Sequence, residues 1–150
     1  MEPRPVVAAA IVDSLRNPTK LLAAARAYPE DLRGMFELPG GKVEPGEAFT
    51  GALVREIREE LNAEIIIGPK LASPNMNGWP LPGGRKMHVW LVETTTFPQV
   101  GASHLHFEWC NRNSIFDISW LPADKEIIRA LADALGWSQP QKCATVVPYG

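Results

Sequence analysis

Cysteine is scarce in this chain: its 150 residues contain two, Cys110 and Cys143. Two thiols cannot build a disulfide framework, and neither stands in a paired metal-ligand spacing, so both read as reduced cysteines. An excess of positive charge is lacking too. Lys and Arg number 15 against 17 Asp and Glu, for a formal net charge of −2. That balance removes the electrostatic basis for gripping polymeric nucleic acid and leaves a small charged ligand as the expected partner. Nor is there a long apolar run. The opening MEPRPVVAAAIVDS is apolar only briefly and carries Asp13, so it makes neither a signal peptide nor a membrane span, and the expected location is the cytoplasm. Repeats, charge blocks and linker-like stretches are also missing. The expectation is one domain over residues 1–150, with its core at about 5–137 and a tail at 138–150. At 45% hydrophobic residues, such a chain buries a substantial core without covalent staples.

What is present centres on Gly41 to Ala63, GKVEPGEAFTGALVREIREELNA. The segment opens with turn chemistry at Pro39, Gly40, Gly41, Pro45 and Gly46. From Glu47 to Leu61 proline is absent, and Phe49, Leu53, Ile57 and Leu61 recur every four residues, which predicts a helix with one apolar stripe. Asn62 is a suitable left-handed stop. Glu56, Glu59 and Glu60 stand at i, i+3 and i+4, so their carboxylates share a face at about 5–6 Å between Cβ atoms. A divalent cation relieves that repulsion, and hard oxygen donors suit Mg²⁺ or Mn²⁺. Arg55 can pin one carboxylate through a forked hydrogen bond. The alternative is a solvated acidic face with Arg55 and Arg58 as counter-charges.

Around that helix the chain predicts strands at 5–12, 20–25 and 35–38, the second despite its helix-favouring leucines and alanines. The glycine loop then joins strand to helix, an arrangement that favours anion or metal binding at the loop. Strand material follows at 64–67 and 70–73, broken by Gly68-Pro69. A loop rich in proline and glycine covers 74–84 and reads as mobile. Trp79 within it either caps the core or stacks on a ligand. Residues 86–94 alternate as a clear strand, 106–111 form a short one, and a second helix starts near Leu121-Pro122, presents Ile127, Ile128, Leu131 and Leu135, and stops at Gly136. Strands and two helices in this order predict an α/β sandwich.

The spacing of Gly41, Glu47, Arg55-Glu56, Glu59-Glu60 and the apolar positions between them resembles the signature box of the Nudix hydrolases, with Asn62 where that family usually has glycine. Asparagine also tolerates positive φ, so the helix stop is kept. The resemblance spans about residues 5 to 137 and is most similar to the MutT-like branch, which cleaves nucleoside triphosphates to the monophosphate and pyrophosphate. It implies a mixed sheet between helices in an α/β/α sandwich. Glu37 to Glu44 is similar to the loop entering the box. Arg26 matches a position where that branch often has an arginine reaching the nucleotide, against a plain surface charge. Leu121 to Ile128 resembles the last-helix motif in which the residue at Asp124 reads the base edge. A carboxylate there accepts from an amine such as cytosine N4 or, protonated, pairs with an oxidised guanine; its other role is to cap the helix.

By that resemblance, Glu56, Glu59, Glu60 and the Gly40 carbonyl hold Mg²⁺, with Mn²⁺ possible, and water attacks a phosphorus of the triphosphate. Arg55 orients Glu56, Lys42 stabilises negative charge in the transition state and also binds substrate, and Glu47 with Gly41 supports the loop. Many members supply a further acid from the loop before the strand that holds Trp109. Here that stretch offers Ser103 or His104, with Glu108 as a substitute. His104 and His106, at i and i+2 of a strand, are expected to share a surface or rim face. The resemblance thus implies a Mg²⁺-dependent nucleotide pyrophosphohydrolase acting on 8-oxo-dGTP, dCTP or CTP, as monomer or homodimer, with no membrane partner. The alternatives are hydrolysis of ADP-ribose or a sugar nucleotide, and a catalytically silent nucleotide sensor.

Overall fold

The computed structural model describes residues 3–137 apart from Met76. The expected tail at 138–150, with Cys143, lies outside the described residues. Strand β1, Val6–Ile11, is central. It pairs in parallel with β7, Lys86–Thr94, and antiparallel with β4, Gly40–Lys42. On the far side of β7 lie β5, Ile65–Lys70, and the short β6, Trp79–Pro80, both antiparallel to it. A second sheet runs β3-β2-β8, from Phe36–Glu37, Leu21–Arg26 and His104–Cys110. Helix α1, Phe49–Leu61, and helix α2, Lys125–Leu135, cover opposite faces. The expected mixed α/β sandwich is what forms, with its strands divided between two sheets.

Burial on both faces explains why alanine-rich segments become strands. Val7, Ala9 and Ile11 of β1, with Leu22 and Ala24 of β2, face α1 through Leu53, Ile57 and Leu61. Ala8, Ala10, Leu21, Ala23 and Ala25 face α2 through Ile127, Ile128 and Leu131. A strand clad on both sides is apolar throughout rather than alternating, and that tertiary demand overrides helix propensity. Leu53, Ile57 and Leu61 are fully buried, worth roughly 5–9 kcal/mol together.

Helix α1 ends as expected: Asn62 is left-handed at φ 52° and its amide reaches the Arg58 carbonyl at 3.0 Å. Gly136 ends α2 at φ 76°. Three expectations need correction. Gly40-Gly41-Lys42 is an edge strand rather than a loop, because the glycines let it lie directly on β1; a Cβ on Gly40 would strike the Val7 carbonyl. Gly68-Pro69 does not break the strand: β5 continues through it with a shift of register between Ile67 and Lys70. The second half of the 74–84 stretch is also tied down, since Trp79 and Pro80 pair with Met87 and Lys86 and a 3-10 turn follows at Pro82–Gly84. Trp79 is buried among the α2-side core residues, so it caps the core. Cys110 is buried, donates to the Leu21 carbonyl at 3.4 Å, and burial pushes its thiol up to about 11. It is a free thiol, as expected, and its burial makes it inert. Among the described residues no helix is long and apolar enough to cross a membrane.

Candidate active site

Strand β4 delivers the chain to a turn in which the Glu47 amide donates to the Glu44 carbonyl and the Glu44 amide donates to Glu47 Oε1, at 3.0 and 2.9 Å. That turn sets the start of α1 and fixes Glu47 beneath Arg55. The guanidinium grips Glu47 in a fork, Nε to Oε2 at 2.8 Å and Nη2 to Oε1 at 2.9 Å, and Nη2 also donates to the Lys42 carbonyl at 3.1 Å. Its Nη1 donates to Glu56 Oε2 at 3.0 Å and Glu59 Oε1 at 3.3 Å. The fork is thus spent on Glu47, and Glu56 is held by a single bond. The Arg55 hydrogen bonds and the Glu44 amide hold the Glu47 carboxyl down at about 2, and those carboxylates raise Arg55 in turn.

Glu56 is seated directly on Gly41, where a Cβ would collide with its carboxylate. That contact is the local reason for a glycine at 41. Glu60 lies deeper. Burial, opposed by His104 and reinforced by Glu37 and Glu56, pushes its carboxyl up to about 7, and a hydrogen bond from the Gly40 backbone pulls it back. Its Oε1 is buried without a hydrogen-bond partner. Glu59 stands exposed at the rim.

A cavity of about 650 Å³ lies on the α2 side of the sheet, lined in part by Gly40 and Gly41, the residues against which Glu60 and Glu56 rest. Its lining includes Arg26, Glu37, Lys42, Arg85 and Asp124, with Leu38, Leu81 and Met87 as apolar wall. Arg26, Lys42 and Asp124 are thereby brought together, and each bears on the alternatives left open by the sequence. Arg26 Nη1 is bonded to Glu37 Oε1 at 2.6 Å inside the cavity, so it is no stray surface charge. Asp124 occupies the N-cap position of α2 yet makes no side-chain cap bond. Its Oδ2 instead accepts from the Leu38 amide at 3.4 Å. Only 3% exposed, its carboxyl is pushed up to about 7 by burial and by Glu37, against the Leu38 amide and Arg26.

Two cavity residues were not singled out by sequence. Glu37 appeared there only as part of the loop motif, but it joins Arg26 to His104, whose Nε2 donates to Glu37 Oε2 at 2.9 Å. Arg85 falls between the 74–84 loop and the 86–94 strand; its Nε is buried without a partner. The histidine expectation is corrected by a bulge. Register shifts between Ala25 and Arg26, opposite His106 and His104, so the two rings fall on opposite faces of β8. His104 is buried against Glu37 and the Phe107 ring. His106 is exposed, packs edge-on against Phe36, and pairs with Glu108 at 3.5 Å. Glu108 therefore lies on the wrong face to serve the carboxylate cluster, and Ser103 contacts the Tyr28 hydroxyl at 3.5 Å.

Among the described residues no three acidic, histidine or cysteine side chains already converge as a metal cage. The donor chemistry nevertheless fits a hard divalent cation. Glu56 and Glu60 repel each other across Gly40 and Gly41, and a buried carboxylate oxygen lacking any donor is satisfied by a cation at low cost.

The family model for the NUDIX domain matches residues 3–132. A curated relative from Escherichia coli strain K12, named CTP pyrophosphohydrolase, is 34% identical over 126 residues, covering 83% of this chain and 88% of its own length. A Mycobacterium tuberculosis protein named putative 8-oxo-dGTP diphosphatase 2 is 35% identical over 136 residues, covering 89% and 91%. Among solved structures, that of the E. coli ORF135 protein superposes with a TM-score of 0.68 at 33% identity, covering 94% of this chain and 96% of that one.

Proposed function

The chain belongs to the NUDIX domain family of hydrolases acting on nucleotide pyrophosphate bonds, and from that membership we propose that it cleaves a nucleoside triphosphate, 8-oxo-dGTP or a cytosine nucleotide such as dCTP or CTP, to the monophosphate and pyrophosphate. The observation carrying this reading is the shared wall: one cavity holds Arg26, Lys42 and Asp124, and Glu60 and Glu56 rest against the Gly40-Gly41 stretch that lines it. Its volume suits one nucleotide. Names of two relatives support the same pair of substrates.

Asp124 reads the base edge from a buried position, where a polar group left unpaired by the wrong base is costly. Its raised carboxyl lets it accept from cytosine N4 when ionised or donate to an oxidised guanine when protonated. Arg26, braced by Glu37, and Lys42 direct the triphosphate toward Gly40-Gly41. Glu56, Glu59, Glu60 and the Gly40 carbonyl would hold Mg²⁺ or Mn²⁺, which neutralises the polyphosphate and lowers the pKa of a bound water. Arg55, anchored on Glu47, fixes Glu56 in place. Lys42 stabilises the charge developing on the phosphate, and a carboxylate of the cluster accepts the proton of the attacking water.

The test measures pyrophosphate against phosphate release from a nucleotide panel with Mg²⁺ and with Mn²⁺, beside Glu59→Gln and Glu60→Gln. Pyrophosphate from 8-oxo-dGTP or cytosine triphosphates, lost in both variants and on chelation, is expected. Turnover of ADP-ribose or a sugar nucleotide with none of any triphosphate would overturn the substrate.

A further inference from the structure

An open sheet ends in two edges whose backbone groups can pair with another chain, and most edges here are blunted against that. Strand β4 is three residues long and β3 two, while β5 carries Pro69 and a shift of register. The exception is β8. It runs for seven residues without proline or lysine, and among the described residues β2 is its only strand partner. Beyond the bulge at its start, its register is unbroken from His106 to Cys110. Such an edge is a template for a further strand.

The side chains of β8 are as open as its backbone, and they say what fits there. Leu105 and Trp109 are 37% and 44% exposed, and His106 and Glu108 are exposed as well. Alternation along the regular part puts His106 and Glu108 on the α2 face of the sheet, in line with Cys110, and Phe107 and Trp109 on the α1 face. A two-fold axis normal to the sheet joins two such edges antiparallel and keeps like faces together. Centred on His106, that axis opposes imidazole to imidazole; centred on Glu108, it opposes carboxylate to carboxylate. Centred on Phe107, it overlaps the whole strand and sets each His106 N–H donor opposite the Glu108 carboxylate of the other copy, with Leu105 across from Trp109. The strand is complementary to itself in that register.

We propose that β8 is an interface for a second copy of this chain, which pairs edge to edge about Phe107 to form a two-fold dimer whose β3-β2-β8 sheets continue into one another. Two strands and their flanking side chains make a small interface, so the dimer is weak and its population rises with concentration. The inference does not rest on the proposed hydrolysis, since neither His106 nor Glu108 lines the nucleotide cavity.

The experiment is sedimentation velocity on the full chain from micromolar to millimolar concentration, for wild type, Glu108→Lys, His106→Glu and an equimolar mixture of the two variants. Both positions are exposed, so the substitutions leave the core alone. Wild type is expected to show a monomer-dimer equilibrium. Either variant alone loses both attractive pairs across the axis, which should weaken the dimer roughly tenfold or more. In the mixture the new lysine of one copy faces the new glutamate of the other and the second pair is native, so wild-type affinity or better should return. A wild type that stays monomeric throughout, a dimer indifferent to both substitutions, or a mixture no tighter than its components overturns the proposal. Hydrogen exchange supplies the remaining outcome: protection, in the monomer, of the β8 amides not bonded to β2 assigns the edge to a segment of the same chain and overturns it too.

Discussion

Replacing Asp124 with asparagine should change how stability depends on pH, and the size of the change follows from its burial. In the unfolded chain an aspartate ionises near 3.8, whereas in the folded cavity Asp124 is raised to about 7. Between those values the folded state holds a proton that the unfolded state has released. Stability therefore falls as pH rises through this window, at about 1.4 kcal/mol per unit. Over roughly three units the loss comes to about 4 kcal/mol, complete above about pH 7. Asparagine is nearly isosteric, keeps an oxygen for the Leu38 amide, and has nothing to ionise. Glu60 contributes a slope of the same sign in both proteins, so the difference between the two isolates position 124. Denaturant unfolding of wild type and Asp124→Asn from about pH 4 to about pH 8 should show the variant gaining on wild type with rising pH and levelling off near neutrality. Two parallel curves would refute the reasoning, since they would mean that Asp124 ionises alike in folded and unfolded chains.

Arg55→Lys keeps the charge but loses the fork on Glu47 and the reach to Glu56; kcat should fall roughly 10–100-fold with KM little changed, checked by steady-state kinetics on the preferred triphosphate. Gly41→Ala meets first the far end of the Glu56 side chain, so thermal unfolding should shift by no more than about 1 kcal/mol in stability while activity drops sharply. Ile57→Ala, at a fully buried position under α1, should cost about 2–5 kcal/mol by denaturant unfolding. Chelation should abolish turnover yet leave the far-ultraviolet circular dichroism unchanged, because Arg55 and Glu47 hold the turn without any cation.

The parts legible in the sequence were those governed by local rules. The four-residue apolar repeat located α1 and Asn62 marked its end, because helix periodicity is a property of neighbours along the chain. Position 124 was visible as a carboxylate at a helix start and, through the resemblance of its motif, as a base-edge reader; its burial against Leu38 depends on β3 and α2 meeting across the fold. The bulge in β8 was illegible for the same reason: a period of two places His104 beside His106, and only pairing with β2 shows where that period slips. Gly40-Gly41 misled in another way. Glycine signals a loop when read alone, yet here it is an edge strand lying closer to Val7 than any side chain would permit. Arg85 had no local signal, being one arginine at the end of a proline-glycine run.

The central strand β1 also partitions the labour of the molecule. Its α1 side carries the groups that would break a bond, and its α2 side carries Asp124 and the apolar wall that would choose what is broken. Different stretches of chain supply the two, residues 40–60 and 121–124, and the charge of Glu37 is felt by both, at Glu60 and at Asp124. Such an arrangement lets one be rewritten while the other is kept. If Asp124 reads the base as proposed, a drift in base preference needs only new side chains on the short turn ahead of α2, so descendants of one ancestral chain would diverge in diet while inheriting the same cutting edge.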